Sequence, residues 1–213
     1  MPLQLDASTV RREAATVLRD AARSTLYLLV SFPLGVAYFA LVVGGVAAGI
    51  SLLVFVVGVV VLAATAAAAR RVAALDAAFG ARVYGLPAPS LAAPRSTDGL
   101  FDAAVAELAT PAGYRATAYL VARFGVGLAG FTYVVTWLSV SGALLGAPLY
   151  YDAPGVTVGV PGAWTVTTLP GALAVAAAGA VVAAVGAVVV APAGRVAVRA
   201  TGYVLELPRP AAT

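Results

Sequence analysis

The side chains able to do chemistry are few in this chain, and they sit at the edges of long apolar stretches. Histidine and cysteine are both absent. That removes thiolate chemistry, disulfides, a phospho-accepting histidine, and imidazole or thiolate metal sites. No nucleophile has a candidate base beside it, so no catalytic set, cofactor or metal is expected. One polar and aromatic group stands out: Tyr150, Tyr151, Asp152 and Trp164. Such rings suit a membrane interface. The same set could form a shallow site for an apolar or cationic ligand, with Asp152 supplying charge and Trp164 a ring face. A second acidic group, Asp98, Asp102 and Glu107, has a spacing that suits a solvated helix face better than a metal site.

Ionisable groups inside a membrane segment usually mark pumps and proton relays. The only one read here within the spans is Arg123, at a boundary where snorkelling to headgroups accounts for it. A charge-coupled transporter is therefore not expected. Thr132, Thr136 and Ser139 lie at i, i+4 and i+7, with Gly125, Gly130 and Gly142 nearby. Small and hydroxylated residues at this spacing make helix–helix contacts, or line a ligand groove. Ser31 and Tyr38 share a face of an earlier helix in the same way.

The elements that must position these residues are membrane helices. The chain is 62% hydrophobic and 10% charged, with a mean hydropathy of +0.99, which no water-soluble domain of this size needs. All 13 basic residues are Arg, and the net charge is +4. They are not gathered into a face with stacking aromatics, so nucleic acid is not an expected partner. Residues 1–24 read as an N-terminal amphipathic helix with Arg11, Arg12, Arg19 and Arg23 on its wet side. From Leu26 to Ala69 no residue is charged, which is room for two spans, near 25–44 and 50–69. The glycines of Gly44–Gly49 suggest a tight turn between them; with no strand before and no lysine after, they are no phosphate loop. A cleavable leader has an apolar core of about 7–15 residues, far shorter than this run, so cleavage is not expected.

Residues 70–118 connect to a second pair of spans. Arg70–Tyr84 continues as a helix with Arg70, Arg71, Asp76 and Arg82 exposed. A Pro-rich stretch follows, and Asp98–Leu108 forms a short helix capped by Thr97 or Asp98. Pro111 opens the third span, which runs from Tyr119 to about Leu145. A loop at 147–170 contains two alternating β-branched runs around Pro161-Gly162, which suits a small hairpin. The fourth span covers 171–193, ended by Gly194, Arg195 and Arg199, and 194–213 form a tail.

Every Arg falls in the N-terminal segment, in 70–123 or in the tail, and the two opposite turns carry none. The positive-inside bias then places both termini and the central connection in the cytoplasm. The two halves are also copies. Arg23–Val43 and Arg115–Val135 share 10 of 21 positions, including Tyr27/Tyr119, Phe32/Phe124, Gly35/Gly127 and Phe39/Phe131. Matching of composition alone would give about two or three. The expected fold is an all-α membrane protein: four transmembrane helices as two parallel-repeat hairpins, 25–69 and 119–193, with short cytoplasmic amphipathic helices and a small extracellular β-hairpin. Gly35 and Gly127 are expected at close, equivalent helix crossings.

YLLVSFPLGVAYF at 27–39, the arginine pair after the second span, YLVARFGVGLAGF at 119–131 and APLYY at 147–151 together resemble the four-span "putative sensor" membrane domain. The resemblance runs from about Arg23 to Arg199. It implies a signal-input module of the kind found before sensor histidine kinases in actinobacteria and archaea. Without a dimerisation-histidine helix or an ATP-binding domain after Arg199, the chain is expected to phosphorylate nothing. It would act as a stand-alone sensor in the cell membrane, with the lipid bilayer, a cytoplasmic kinase or transcription regulator, and a second copy as candidate partners. A small transporter or permease component, or a membrane-embedded accessory subunit, is the alternative.

Overall fold

A backbone crossing lipid must satisfy its amides internally, so long uncharged runs become helix. The computed structural model describes residues 7–55, 57–86, 99–160 and 164–206. They form α1 (Ala7–Ser51), a 3₁₀ turn (Leu53–Phe55), α2 (Val57–Tyr84), α3 (Leu100–Ala109), α4 (Pro111–Tyr150), β1 (Gly159–Val160), β2 (Trp164–Thr165) and α5 (Leu169–Glu206). Four of these helices are long and apolar enough to cross a membrane, as a multi-pass membrane protein requires. They also outrun the bilayer. At 45 residues α1 is about 67 Å long against a hydrocarbon core of about 30 Å.

Several expected breaks are absent. The backbone stays helical from Ala7 through residues 24 and 25, and through Gly44–Gly49, turning only after Ser51. The glycines serve packing instead. A Cβ on Gly45 would collide with the Thr65 side chain, and one on Gly49 would stand 2.5 Å from Leu62 Cγ, so both let α1 and α2 approach closely. Likewise α5 does not stop at Gly194–Arg199 but continues to Glu206. Pro111 does open α4, where its missing N–H costs nothing. At α3 the cap position is Gly99, with φ of +127° and no side-chain cap; Thr97 and Asp98 lie outside the described residues. Between α4 and α5, β1 and β2 pair antiparallel, with Gly159 opposite Thr165 and Val160 opposite Trp164.

The chain packs as two units, one of the chain up to Leu26 with Phe131–Ala193, the other of Tyr27–Gly130 with the chain from Gly194. In the first, Gly179 admits Leu144, with a virtual Cβ only 2.7 Å from Leu144 Cβ, and Gly186 lies against the Trp137 ring. Trp137 Nε1 donates to the Val182 carbonyl oxygen at 3.2 Å. Ala147, Val166, Ala172 and Val175 form a small core where the loop folds onto the helix ends. In the second unit α2 presents a face of small residues at helical spacing, Ala69, Ala73, Asp76, Ala77, Gly80 and Ala81, all buried. Val42, Ala116, Tyr119, Leu120 and Leu205 complete that core.

The glycine seam gives a matched pair of variants. Gly49→Leu is expected to lower the melting temperature in detergent by several degrees, because Leu62 already occupies the space. Gly44→Leu, where an added Cβ meets nothing within 4 Å, is expected to leave it unchanged.

Candidate functional site

The similar segments of α1 and α4 meet at Gly35 and Gly127. A Cβ on Gly35 would stand 3.0 Å from Phe124 Cα, and one on Gly127 would stand 2.8 Å from the Ser31 carbonyl oxygen. With the 92-residue offset, Phe124 and Phe32 are equivalent, as are Arg123 and Ser31, so the two contacts are reciprocal. This close crossing brings Arg123 of α4 against Ser31 of α1. The stacked rings of Phe39 and Phe124, 4.7 Å apart, lie beside it.

Arg123 is 1% exposed and Asp76 3%. Arg123 Nε donates to Asp76 Oδ2 at 2.9 Å. Nη2 donates to Tyr27 Oη at 3.0 Å and to Ser31 Oγ at 2.8 Å. The guanidinium carbon lies 5.0 Å from the Tyr27 ring centroid. The Asp76 carboxylate also accepts the Tyr119 hydroxyl at 2.6 Å and the Tyr38 hydroxyl at 3.3 Å. Arg123 Nη1 alone has no hydrogen-bond partner among the described residues. Gly80 leaves room for the Tyr27 phenol: a Cβ there would be 3.1 Å from its oxygen. One cation and one anion are thus held with four hydroxyls, from three helices.

This overturns two expectations. Arg123 does not snorkel, and Asp76 is not on a solvated face. Both charges are buried within the helix packing, Asp76 on the part of α2 that follows Arg70 and Arg71. Glu107 is a third case: it is 6% exposed and forms a bidentate pair with Arg70 at 3.1 and 2.8 Å, tying α3 to α2. Single-helix reasoning failed because α2 and α3 pack against other helices on the faces that carry these acids. One signal was available. Asp76 falls on the periodic small-residue face of α2, where an acid requires a buried partner.

The other sequence candidates scatter. Thr132, Thr136 and Ser139 are exposed along α4, so they do not pack helices within this chain. Their spacing fixed a common face and could not say which way it turns; the inward face runs through Val134 and Ser141 instead. Tyr150 is half-buried, its hydroxyl donating to the Ala143 carbonyl oxygen. Tyr151 and Asp152 border an open cavity, while Trp164 has only its backbone described, in β2. Among the described residues no acidic grouping could hold a metal.

Removing one member of a buried ion pair is far more costly than replacing both by apolar groups. Asp76→Leu alone is expected to destabilise the protein by about 3–5 kcal/mol in denaturant titrations in detergent micelles. The double variant Asp76→Leu/Arg123→Leu is expected to recover most of that loss; equal costs for the single and double variants would refute the pairing.

A family model described as "Putative sensor" matches residues 27–205. No curated protein and no solved structure matches the chain. The matched region covers most of the chain and every member of the Arg123–Asp76 cluster, and on that extent the chain belongs to the Putative sensor family.

Proposed function

We propose that this protein is the input module of a membrane signalling system, passing a membrane or extracellular signal to a cytoplasmic partner. The observation that carries this reading is the buried Arg123–Asp76 cluster in a chain of the sensor family. A buried ion pair is a poor way to gain stability, since apolar residues of the same volume serve as well or better. Charges held out of water against specific partners are candidates for a functional role. Four hydroxyls around one pair offer alternative hydrogen-bond arrangements, and a small displacement of α4 against α1 would exchange them. That is a two-state element of the kind that converts a shift into a discrete change. This reading gives the chain no catalytic step.

The arginine distribution supports a cell-membrane topology with both termini and residues 70–118 cytoplasmic, and with the β1–β2 pair outside as a small hairpin. The reciprocal contacts of Gly35 and Gly127 support two parallel-repeat hairpins about a pseudo-twofold axis. Output would leave through α2 and α3, whose exposed apolar side chains Leu75, Phe79, Phe101 and Val105 suit a kinase or transcription regulator. The hydroxyl stripe on α4 suits a second copy. Two parallel helix pairs also suit one other reading, a transporter or permease component or accessory subunit.

Topology is tested by single cysteines. A cysteine at Gly159 is expected to react with an impermeant maleimide in intact cells, and one at Ser90 only after lysis; the reverse pattern removes this orientation. Function is tested in the host. Deletion is expected to change a defined set of transcripts under membrane stress, and the folded Asp76→Leu/Arg123→Leu variant to fail to restore them. Restoration by that variant would remove the cluster from signalling. A deletion that alters solute uptake and leaves transcripts unchanged would favour the transporter.

A further inference from the structure

The two copies differ most in what joins their helices. Between Ser51 and Val57 five residues suffice, whereas the connection from Tyr151 to Thr168 has 18. Connections of that length in compact proteins usually serve a function. Its described residues are tied to one another and to the helix ends. Val166 N–H donates to the Val158 carbonyl oxygen at 2.8 Å, and Val166 packs with Ala147, Ala172 and Val175. Gly155, with φ of +79°, and Gly159, with φ of +136°, supply backbone conformations that other residues avoid.

The folded connection encloses an open cavity of about 380 Å³, lined by Tyr151, Asp152, Val156, Thr157, Thr165, Val166 and Thr167. That is at the small end of ligand pockets, which run from roughly 300 to 1,000 Å³. Its polarity is one-sided. Asp152 is the only charged residue between Arg123 and Arg195, and among the described residues no cation pairs with it. The hydroxyls of Tyr151, Thr157, Thr165 and Thr167 can turn their oxygen dipoles toward a cation, and Val156 and Val166 add apolar surface. A single carboxylate with hydroxyls is too poor a set for calcium or magnesium, which take more carboxylate and carbonyl oxygens. The chemistry fits a larger, more weakly hydrated cation with methyl or methylene groups.

We propose that the cavity of the Tyr151–Thr168 connection binds a small organic ammonium ion, with Asp152 as its counter-charge. This deepens the sensor reading and rests on it, by naming the class of signal. Choline and its uncharged isostere 3,3-dimethylbutan-1-ol are the probes, titrated calorimetrically against the purified full chain in nanodiscs. Choline is expected to bind saturably, with the alcohol at least tenfold weaker. Asp152→Asn, at an exposed position and checked for an unchanged melting temperature, is expected to weaken choline at least tenfold, and Thr165→Val several-fold. The proposal is overturned if choline shows no saturable binding, if the alcohol binds equally well, or if Asp152→Asn binds as the parent does. Because binding is read without any partner, its failure leaves the transcript experiment standing. Binding together with an unresponsive deletion strain would sink the sensor reading and keep the site.

Discussion

The Arg123–Asp76 pair is the interaction on which the surrounding packing depends. Taking two charges out of water costs several kcal/mol per ion, and their mutual attraction offsets this only when the remaining donors and acceptors are satisfied. The neighbourhood reads as a set of answers to that demand. Tyr119 and Tyr38 donate to the carboxylate, Tyr27 and Ser31 accept from the guanidinium, and the Tyr27 ring lies near the cation. The small face of α2 and the glycines at 35, 80 and 127 bring the backbones close enough for those side chains to reach. A bulkier residue at any of these positions would separate the charges from their partners.

The cluster is not symmetric between the two similar segments. Tyr27 and Tyr119 stand at matching positions, and so do Ser31 and Arg123. With serine in one segment and arginine in the other, the Ser31 hydroxyl accepts from the guanidinium, and Asp76 of α2 supplies the opposite charge. The helix connections differ too, five residues between α1 and α2 against 18 between α4 and α5, where the described residues border a cavity.

Length has a consequence as well. Helices of 38 to 45 residues extend beyond any bilayer core. Beside them, the bidentate Arg70–Glu107 pair fastens the short α3 to α2. The backbone of α1, α4 and α5 is helical throughout, with Pro33, Pro148 and Pro192 inside them.

Sequence alone determined the class, the number of apolar helices and the family, because each follows from quantities summed over many residues: hydropathy, run length and repeat identity. Gly35 and Gly127 stand at matching positions of the two similar segments, and each lies against the backbone of the other segment. Sequence alone misjudged Gly44–Gly49 because glycine serves both turns and close helix approach, and only the neighbouring Thr65 and Leu62 distinguish them. It misjudged Arg123, Asp76 and Glu107 for a related reason. An ionisable side chain near a membrane boundary is stable either in water or against an opposite charge. The choice between those states rests with residues 30 to 50 positions away in the chain, which only tertiary packing brings within 3 Å. The same limit applied to Thr132, Thr136 and Ser139: periodicity assigns residues to a common face, and the fold decides what that face meets.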